Sequence, residues 1–233
     1  MGRGAGGRGF YCGGKIVVAW GGEWGEGVGM PDMEIEKRVC GGGVLVVAGV
    51  DEAGRGPLAG PVMAAAVVLP EGYGHGKLTD SKQLSARQRE RIYEELRGDG
   101  RILIGSGEAS VEEIDRVNIL RATHLAMERA VRALPVEVGF CLIDGLPVPR
   151  FPWAHEGVVK GDGLSLSIAA ASVVAKVERD RWIERAAEEW PQYAFAQHKG
   201  YGTELHLQLL RKYGPCPLHR RTFQPVAQMS FDF

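Results

Sequence analysis

The sequence predicts an α/β domain in three layers, a mixed central sheet flanked by helices, closed by a small helical, basic C-terminal region. Short apolar, β-branched runs end at turns rich in Gly or Pro, and capping signatures open amphipathic segments between them. The strand-like runs come first and then alternate with helical ones, the order expected of a layered α/β domain.

Residues 1–42 differ from the rest. Glycine dominates and no helical or strand period persists, so this stretch is expected to be a disordered extension. Regular structure begins in 43–190. Val44 to Val50 reads as a buried strand, Pro61 to Leu69 as a second and Arg101 to Gly105 as a third. Ser85 with Gln88 forms a capping box and opens a helix whose Ile92, Tyr93 and Leu96 share a face. Ser110 with Glu113 repeats the signature. Met127, Ala130, Val131 and Leu134 keep helical spacing until Pro135.

Val138 to Ile143 reads as a fourth strand ending at Asp144, and Gly157 to Lys160 as a short fifth. Leu164 to Trp190 is a long helix, apolar nearly all round from Ile168 to Ala175, so its first half should be buried. Residues 191–226 form the C-terminal region, with a helix over Glu204 to Tyr213. Residues 227–233 are a tail.

Length and composition narrow the function. A chain of 233 residues buries a core without disulfides or metals to staple it. Cys12, Cys40, Cys141 and Cys216 are scattered without a C-x-x-C pair, Cys141 within an apolar run; a reduced, cytoplasmic protein is expected. No apolar run is long enough to span a membrane. The net charge of −1 argues against coating nucleic acid by bulk electrostatics. Between Tyr193 and Val226, however, Lys199, Arg211, Lys212, Arg220 and Arg221 face the single acid Glu204, with His198, His206 and His219 nearby. This suggests a local basic face for nucleic acid; a solvated helix face explains the charge equally well.

The carboxylates carry the chemistry. Asp51 and Glu52 follow a buried strand directly. Within a strand, alternation would send them to opposite faces and strand one charge in the core. At its end both can converge on a cation. Asp144 follows the fourth strand, and Asp162 precedes the long helix. Each acid taken alone also fits a turn or a helix cap. Together they offer an all-oxygen pocket, which favours Mg²⁺ or Mn²⁺ over Zn²⁺. Two such cations, held roughly 3.5–4 Å apart, are the usual device for phosphodiester hydrolysis. Ser165, Ser167 and Ser172 have no His beside them in sequence and read as packing and capping residues.

The segment from Gly49 to Val62, containing Asp51-Glu52-Ala53-Gly54-Arg55-Gly56-Pro57, resembles the opening motif of bacterial ribonuclease HII. The resemblance continues in Thr79-Asp80-Ser81-Lys82-Gln83-Leu84, Leu142-Ile143-Asp144-Gly145 and Lys160-Gly161-Asp162. It runs on through Ala169-Ala170-Ala171-Ser172, Ala175-Lys176-Val177 and Arg179-Asp180-Arg181 to His198-Lys199-Gly200-Tyr201-Gly202-Thr203 and His219-Arg220-Arg221, covering residues 44–226 in order.

The resemblance implies a ribonuclease H-like fold. It also implies endonucleolytic cleavage of RNA in RNA–DNA hybrids and incision 5′ of single ribonucleotides embedded in duplex DNA, in replication and repair. Asp51, Glu52, Asp144 and Asp162 match the family's metal-site acids. Gly54, Arg55 and Gly56 match the loop that grips the RNA–DNA junction, and Tyr201 matches a tyrosine that packs on the following deoxyribose. Lys82, Lys160 and Lys176 are candidate phosphate contacts. A monomer is expected. The tail Gln228-Met229-Ser230-Phe231-Asp232-Phe233 resembles peptides that dock on a bacterial sliding clamp; aromatics folded back on the domain are the alternative.

Two other readings stay open. One is a related metal nuclease acting on another nucleic-acid structure. The other is a non-catalytic hybrid-binding module, against which four acids in a binding groove count, because they repel phosphates. A nucleotide-phosphate loop at Gly54 to Gly60 lacks the required Lys-Ser/Thr spacing.

Overall fold

A computed structural model of the chain describes residues 8–12, 15–19, 30–41, 45–78 and 81–229. Strands Arg8–Cys12 (β1), Lys15–Ala19 (β2), Val47–Ala53 (β3), Val62–Val68 (β4), Leu103–Ala109 (β5), Phe140–Asp144 (β6) and His155–Val158 (β7) form one mixed sheet in the order β2-β1-β7-β6-β3-β4-β5. β3, β4 and β5 are antiparallel neighbours, whereas β3, β6 and β7 run parallel. The mixed sheet predicted from the sequence is therefore present.

Helices cover both faces. Ile119–Arg132 (α4) packs one face through Ala122, Ala126, Ala130 and Val131, against Val50, Ala64 and Ala66. Leu166–Glu189 (α5) packs the other through Leu166 and the run Ala169 to Ala175, with Ala86–Gly98 (α2) beyond it. Every residue from Ile168 to Ala175 is buried, as the apolar run implied. α5 lies so close to β3 that a Cβ on Gly49 would stand 2.2 Å from the Ser167 carbonyl carbon. That closeness brings the side chains of α5 to the end of β3.

Several boundaries move. β3 starts later than expected and includes Asp51 and Glu52, so the acids lie within the strand, in register with Ala65 and Ala64 of β4, rather than after it. β5 begins at Leu103 because Arg101 is tied into the preceding turn by Asp99, and it runs on through Gly105 and Gly107, where the α4 backbone leaves no room for a Cβ. Val111–Val117 (α3) and α4 are separate helices, broken at Asn118, whose side chain caps α4 through Arg121 N–H at 3.1 Å. Both expected capping boxes are present.

The extension over 1–42 is not without structure. Besides β1 and β2, Glu34–Cys40 (α1) is helical. Ile35 packs with Leu142, Val158 and Ile168. Glu36 is buried and accepts hydrogen bonds from Ser165 Oγ, Ser167 Oγ and Ser167 N–H at the start of α5. Its short polar and apolar pattern yields no period, but tertiary contacts order it. Beyond α5, Phe195–His198 (α6) and Glu204–Tyr213 (α7) build the C-terminal region. Among the described residues no helix is long and apolar enough to cross a membrane. Of the expected clamp peptide, residues 230–233 lie outside the described residues.

Candidate active site

Parallel pairing of β3 with β6 sets Val50 beside Ile143, so Asp51 and Asp144 follow side by side at the same end of the sheet. β6 pairs with β7 in turn, and the chain leaving β7 folds at Lys160, in a left-handed conformation, into the 3-10 turn Gly161–Gly163. Asp144 Oδ1 accepts the Gly161 N–H at 2.7 Å, which swings Asp162 back toward the strands. The result is that Asp51, Asp144 and Asp162 each offer a carboxylate oxygen, all within 4.8 Å of one another. Ser165, not Asp162, caps α5. The helix-cap explanation of Asp162 therefore falls.

Asp51 and Asp162 are both only 5 % exposed. Burial is the main cause that pushes the Asp51 carboxyl well above the usual range, with the Glu52 and Asp144 charges adding. Ser172 opposes this by hydrogen bonding to Asp51, and Ser172 itself meets Ser81 at 2.9 Å between hydroxyls. Glu52 lies outside the close trio. Burial raises its carboxyl too, offset by Arg55, whose Nη1 donates to Oε1 at 3.1 Å. Two buried acids and the half-buried Asp144 gathered within ligand distance cost free energy unless a cation joins them. The donor set is all oxygen, so the residues fit a hard divalent cation.

The acids open onto a cleft of about 290 Å³ lined by Asp51, Glu52 and Asp144, by Gly54, Arg55 and Gly56, and by Ser81, Lys82, Ser172, Lys176 and Tyr201. Tyr201 is 42 % exposed, and a Cβ on Gly56 would lie 3.9 Å from its ring. Lys176 Nζ stands 5.9 Å from that ring's centre and donates to Asp180 at 2.6 Å. Lys82 reaches Asp162 at 3.5 Å. Lys160 precedes the acid turn but does not line the cleft.

Two arginines hold the glycine loop from behind, and local sequence gave no sign of it. Arg220 is fully buried and donates to the carbonyls of Gly54 (2.6 Å), Arg55 (2.9 Å), Gly60 (2.9 Å) and Pro61 (3.2 Å). Arg179, also fully buried, donates to Ala59 (3.2 Å), Pro61 (3.3 Å) and Lys199 (3.1 Å). Gly54 has φ +95°, and a Cβ there would sit 2.0 Å from Arg179 Nε. With the carbonyls of Gly54 and Arg55 turned inward, Arg55 and Gly56 present N–H groups that have no protein partner among the described residues. Ser172 was also missed as a site residue; a lone hydroxyl in an otherwise apolar helix run is the signal that marks it.

The expected basic face is smaller than the sequence suggested. Arg220 points into the interior, and His198, His206 and His219 are buried. Burial holds His206 at about 4 and His219 at about 3, so both are neutral. Lys199 pairs with Glu184 at 2.5 Å and Arg211 with Glu204 at 3.0 Å.

Comparison with known proteins agrees with this arrangement. The family model for ribonuclease HII matches residues 48–226. The ribonuclease HII of Albidiferax ferrireducens is 53% identical over 184 residues, 79% of this chain and 88% of that protein. That of Syntrophus aciditrophicus is 50% identical over 189 residues, 81% of this chain and 89% of that protein. Among solved structures, the ribonuclease H2 from Pyrococcus horikoshii superposes with a TM-score of 0.66 at 25% identity, covering 79% of this chain and 96% of that one. The Archaeoglobus fulgidus RNase HII, solved in a complex with PCNA, shares the fold at a TM-score of 0.64 and 24% identity, over 77% of this chain and 96% of that one. With the match running from the strand that carries Asp51 to the segment that carries Arg220, the chain belongs to the ribonuclease HII family of endoribonucleases.

Proposed function

We propose that this chain hydrolyses the RNA strand of RNA–DNA hybrids and incises 5′ of single ribonucleotides embedded in duplex DNA, leaving 3′-hydroxyl and 5′-phosphate ends. The observation that carries the reading is the meeting of Asp51, Asp144 and Asp162 at one end of a cleft whose wall is Gly54-Arg55-Gly56 and Tyr201. Asp51, Asp144 and Asp162 would hold Mg²⁺ or Mn²⁺, with Glu52 at the rim. Bound there, two such cations supply an activated water and charge stabilisation at the leaving oxygen.

The chain's own residues do the rest. The free N–H groups of Arg55 and Gly56 suit a phosphate or a 2′-hydroxyl, the group that separates RNA from DNA at one nucleotide. Tyr201 offers an exposed ring face for a sugar. Lys82 and Lys176 offer positive charge beside the acids; Lys160, outside the cleft, would meet the backbone further along. Such an enzyme removes ribonucleotides in replication and repair, and the tail Gln228 to Phe233 would dock it on a sliding clamp. Deleting residues 228–233 should abolish clamp binding without slowing cleavage.

The deciding experiment uses a DNA duplex carrying one ribonucleotide, with Mg²⁺, with Mn²⁺ and with chelator. Incision 5′ of the ribonucleotide, lost with chelator, is expected. Asp144→Asn should abolish it while keeping the fold, since Asn Oδ1 still accepts the Gly161 N–H. Intact duplex under both metals, or normal turnover by Asp144→Asn, would refute the reading.

A further inference from the structure

Three buried imidazoles lie beneath Tyr201, none of them used by the chemistry above. His198 and His206 stack at 4.2 Å between ring centres, 15° apart in plane. His206 Nε2 and His219 Nε2 are 3.1 Å apart. Phe195 and Tyr193 close the pocket around them.

Hydrogen bonding orders the protons. The Cys216 N–H points at His219 Nδ1 at 2.9 Å, closer than the 3.3 Å between Nδ1 and the Cys216 carbonyl, which accepts the His219 backbone N–H at 2.9 Å. His219 Nδ1 is therefore an acceptor and its proton sits on Nε2. That proton is donated to His206 Nε2, which leaves the His206 proton on Nδ1. It is donated in turn to the carbonyl of Tyr201 at 2.9 Å. His198 takes the Gly200 N–H on Nδ1 at 3.2 Å and donates from Nε2 to the Tyr193 carbonyl at 2.8 Å. Its own carbonyl receives the Tyr201 N–H at 2.9 Å. Every ring nitrogen is occupied, so the cluster has no lone pair to offer a metal.

The same residues are tied to the glycine loop. His219 bridges Ala59, the Arg220 N–H bonds the Leu58 carbonyl at 2.8 Å, and the Leu58 N–H bonds the Gly200 carbonyl at 2.8 Å. Loop, histidines and Tyr201 thus form a closed ring of contacts.

We propose that His219 and His206 are positioning residues for recognition of the RNA–DNA junction, fixing the backbone at Tyr201 relative to the Gly54-Arg55-Gly56 loop through one ordered chain of hydrogen bonds. Burial holds both imidazoles neutral, the state in which each has one donor and one acceptor to spend. This rests on the role proposed for Tyr201.

The test is a double-mutant cycle in the full chain, measuring KM and kcat on a duplex with one ribonucleotide at saturating Mg²⁺. His206→Leu keeps apolar bulk and removes both bonds. It should raise KM about five- to tenfold with kcat within about twofold, the effect of one or two lost hydrogen bonds. His206→Asn, whose amide can still donate to Tyr201, should recover most of the loss. In a Tyr201→Ala background, His206→Leu should add nothing. Should His206→Leu fail to fold, His219→Asn, which keeps the Cys216 contact and drops the bond to His206, takes its place. Equal losses with and without Tyr201, or an unchanged KM in His206→Leu, overturn the relay alone. A wild-type KM in Tyr201→Ala overturns the role of Tyr201 and the relay with it.

Discussion

Arg220 Nη2 donates to the carbonyl of Gly54 at 2.6 Å across 166 positions of sequence. One guanidinium thereby fixes the loop that lines the cleft, using four carbonyls that a lysine could not reach together. Arg220→Lys should lower stability by about 2–4 kcal/mol in urea unfolding and raise KM for the single-ribonucleotide duplex. Wild-type values for both would show that the contact is incidental.

Gly54→Ala tests the same loop from its other side. The added methyl meets Arg179 Nε at 2.0 Å in a left-handed backbone, so both the loop and the arginine must shift. A stability loss of roughly 1–3 kcal/mol is expected, with a larger proportional loss of cleavage of embedded ribonucleotides than of long hybrids. Steady-state kinetics on the two substrates would reveal it.

Asp51 is buried in a strand with its charge disfavoured by burial and by Glu52 and Asp144. Asp51→Asn should therefore stabilise the metal-free protein at neutral pH by roughly 1–2 kcal/mol while abolishing cleavage. In the wild type, adding Mg²⁺ or Mn²⁺ should raise Tm, and in Asp51→Asn the rise should shrink. Differential scanning fluorimetry with and without metal decides it.

The histidine cluster predicts a limb of acid instability. His206 and His219 are held at about 4 and about 3, below the ordinary value of about 6.5 that the unfolded chain adopts. The unfolded state then takes up protons first as pH falls. The contribution of these residues is complete above about pH 6.5 and is lost progressively toward about pH 4 for His206 and about pH 3 for His219, at up to about 1.4 kcal/mol per pH unit per histidine. The groups facing them are His198, Tyr193, Phe195, Cys216 and the Tyr201 backbone, and among the described residues no carboxylate bonds either ring to favour protonation. Urea unfolding between pH 7 and pH 4 should show this slope, and His206→Asn should flatten it. Asp51 acts in the opposite sense, equally in both proteins.

What the sequence alone determined is the part of the molecule governed by local pattern. β-Branched runs, capping boxes and an all-apolar helix segment placed the strands and α5, and the acids flanking them marked Asp51, Glu52, Asp144 and Asp162. The motif around Gly54, Arg55, Gly56 and Tyr201 supplied the family. Only the tertiary structure decided which acids converge. Parallel pairing of β3 with β6 aligns Asp51 with Asp144, and the Gly161 N–H on Asp144 returns Asp162 to them, while Glu52 turns to Arg55. It also decided that Arg179 and Arg220 are buried staples rather than surface charge, and that α1 belongs to the domain through Ile35 and Glu36. An arginine has the same sequence signature whether it faces water or a ring of carbonyls. Which it meets depends on partners more than a hundred residues away, and only the folded chain brings them together.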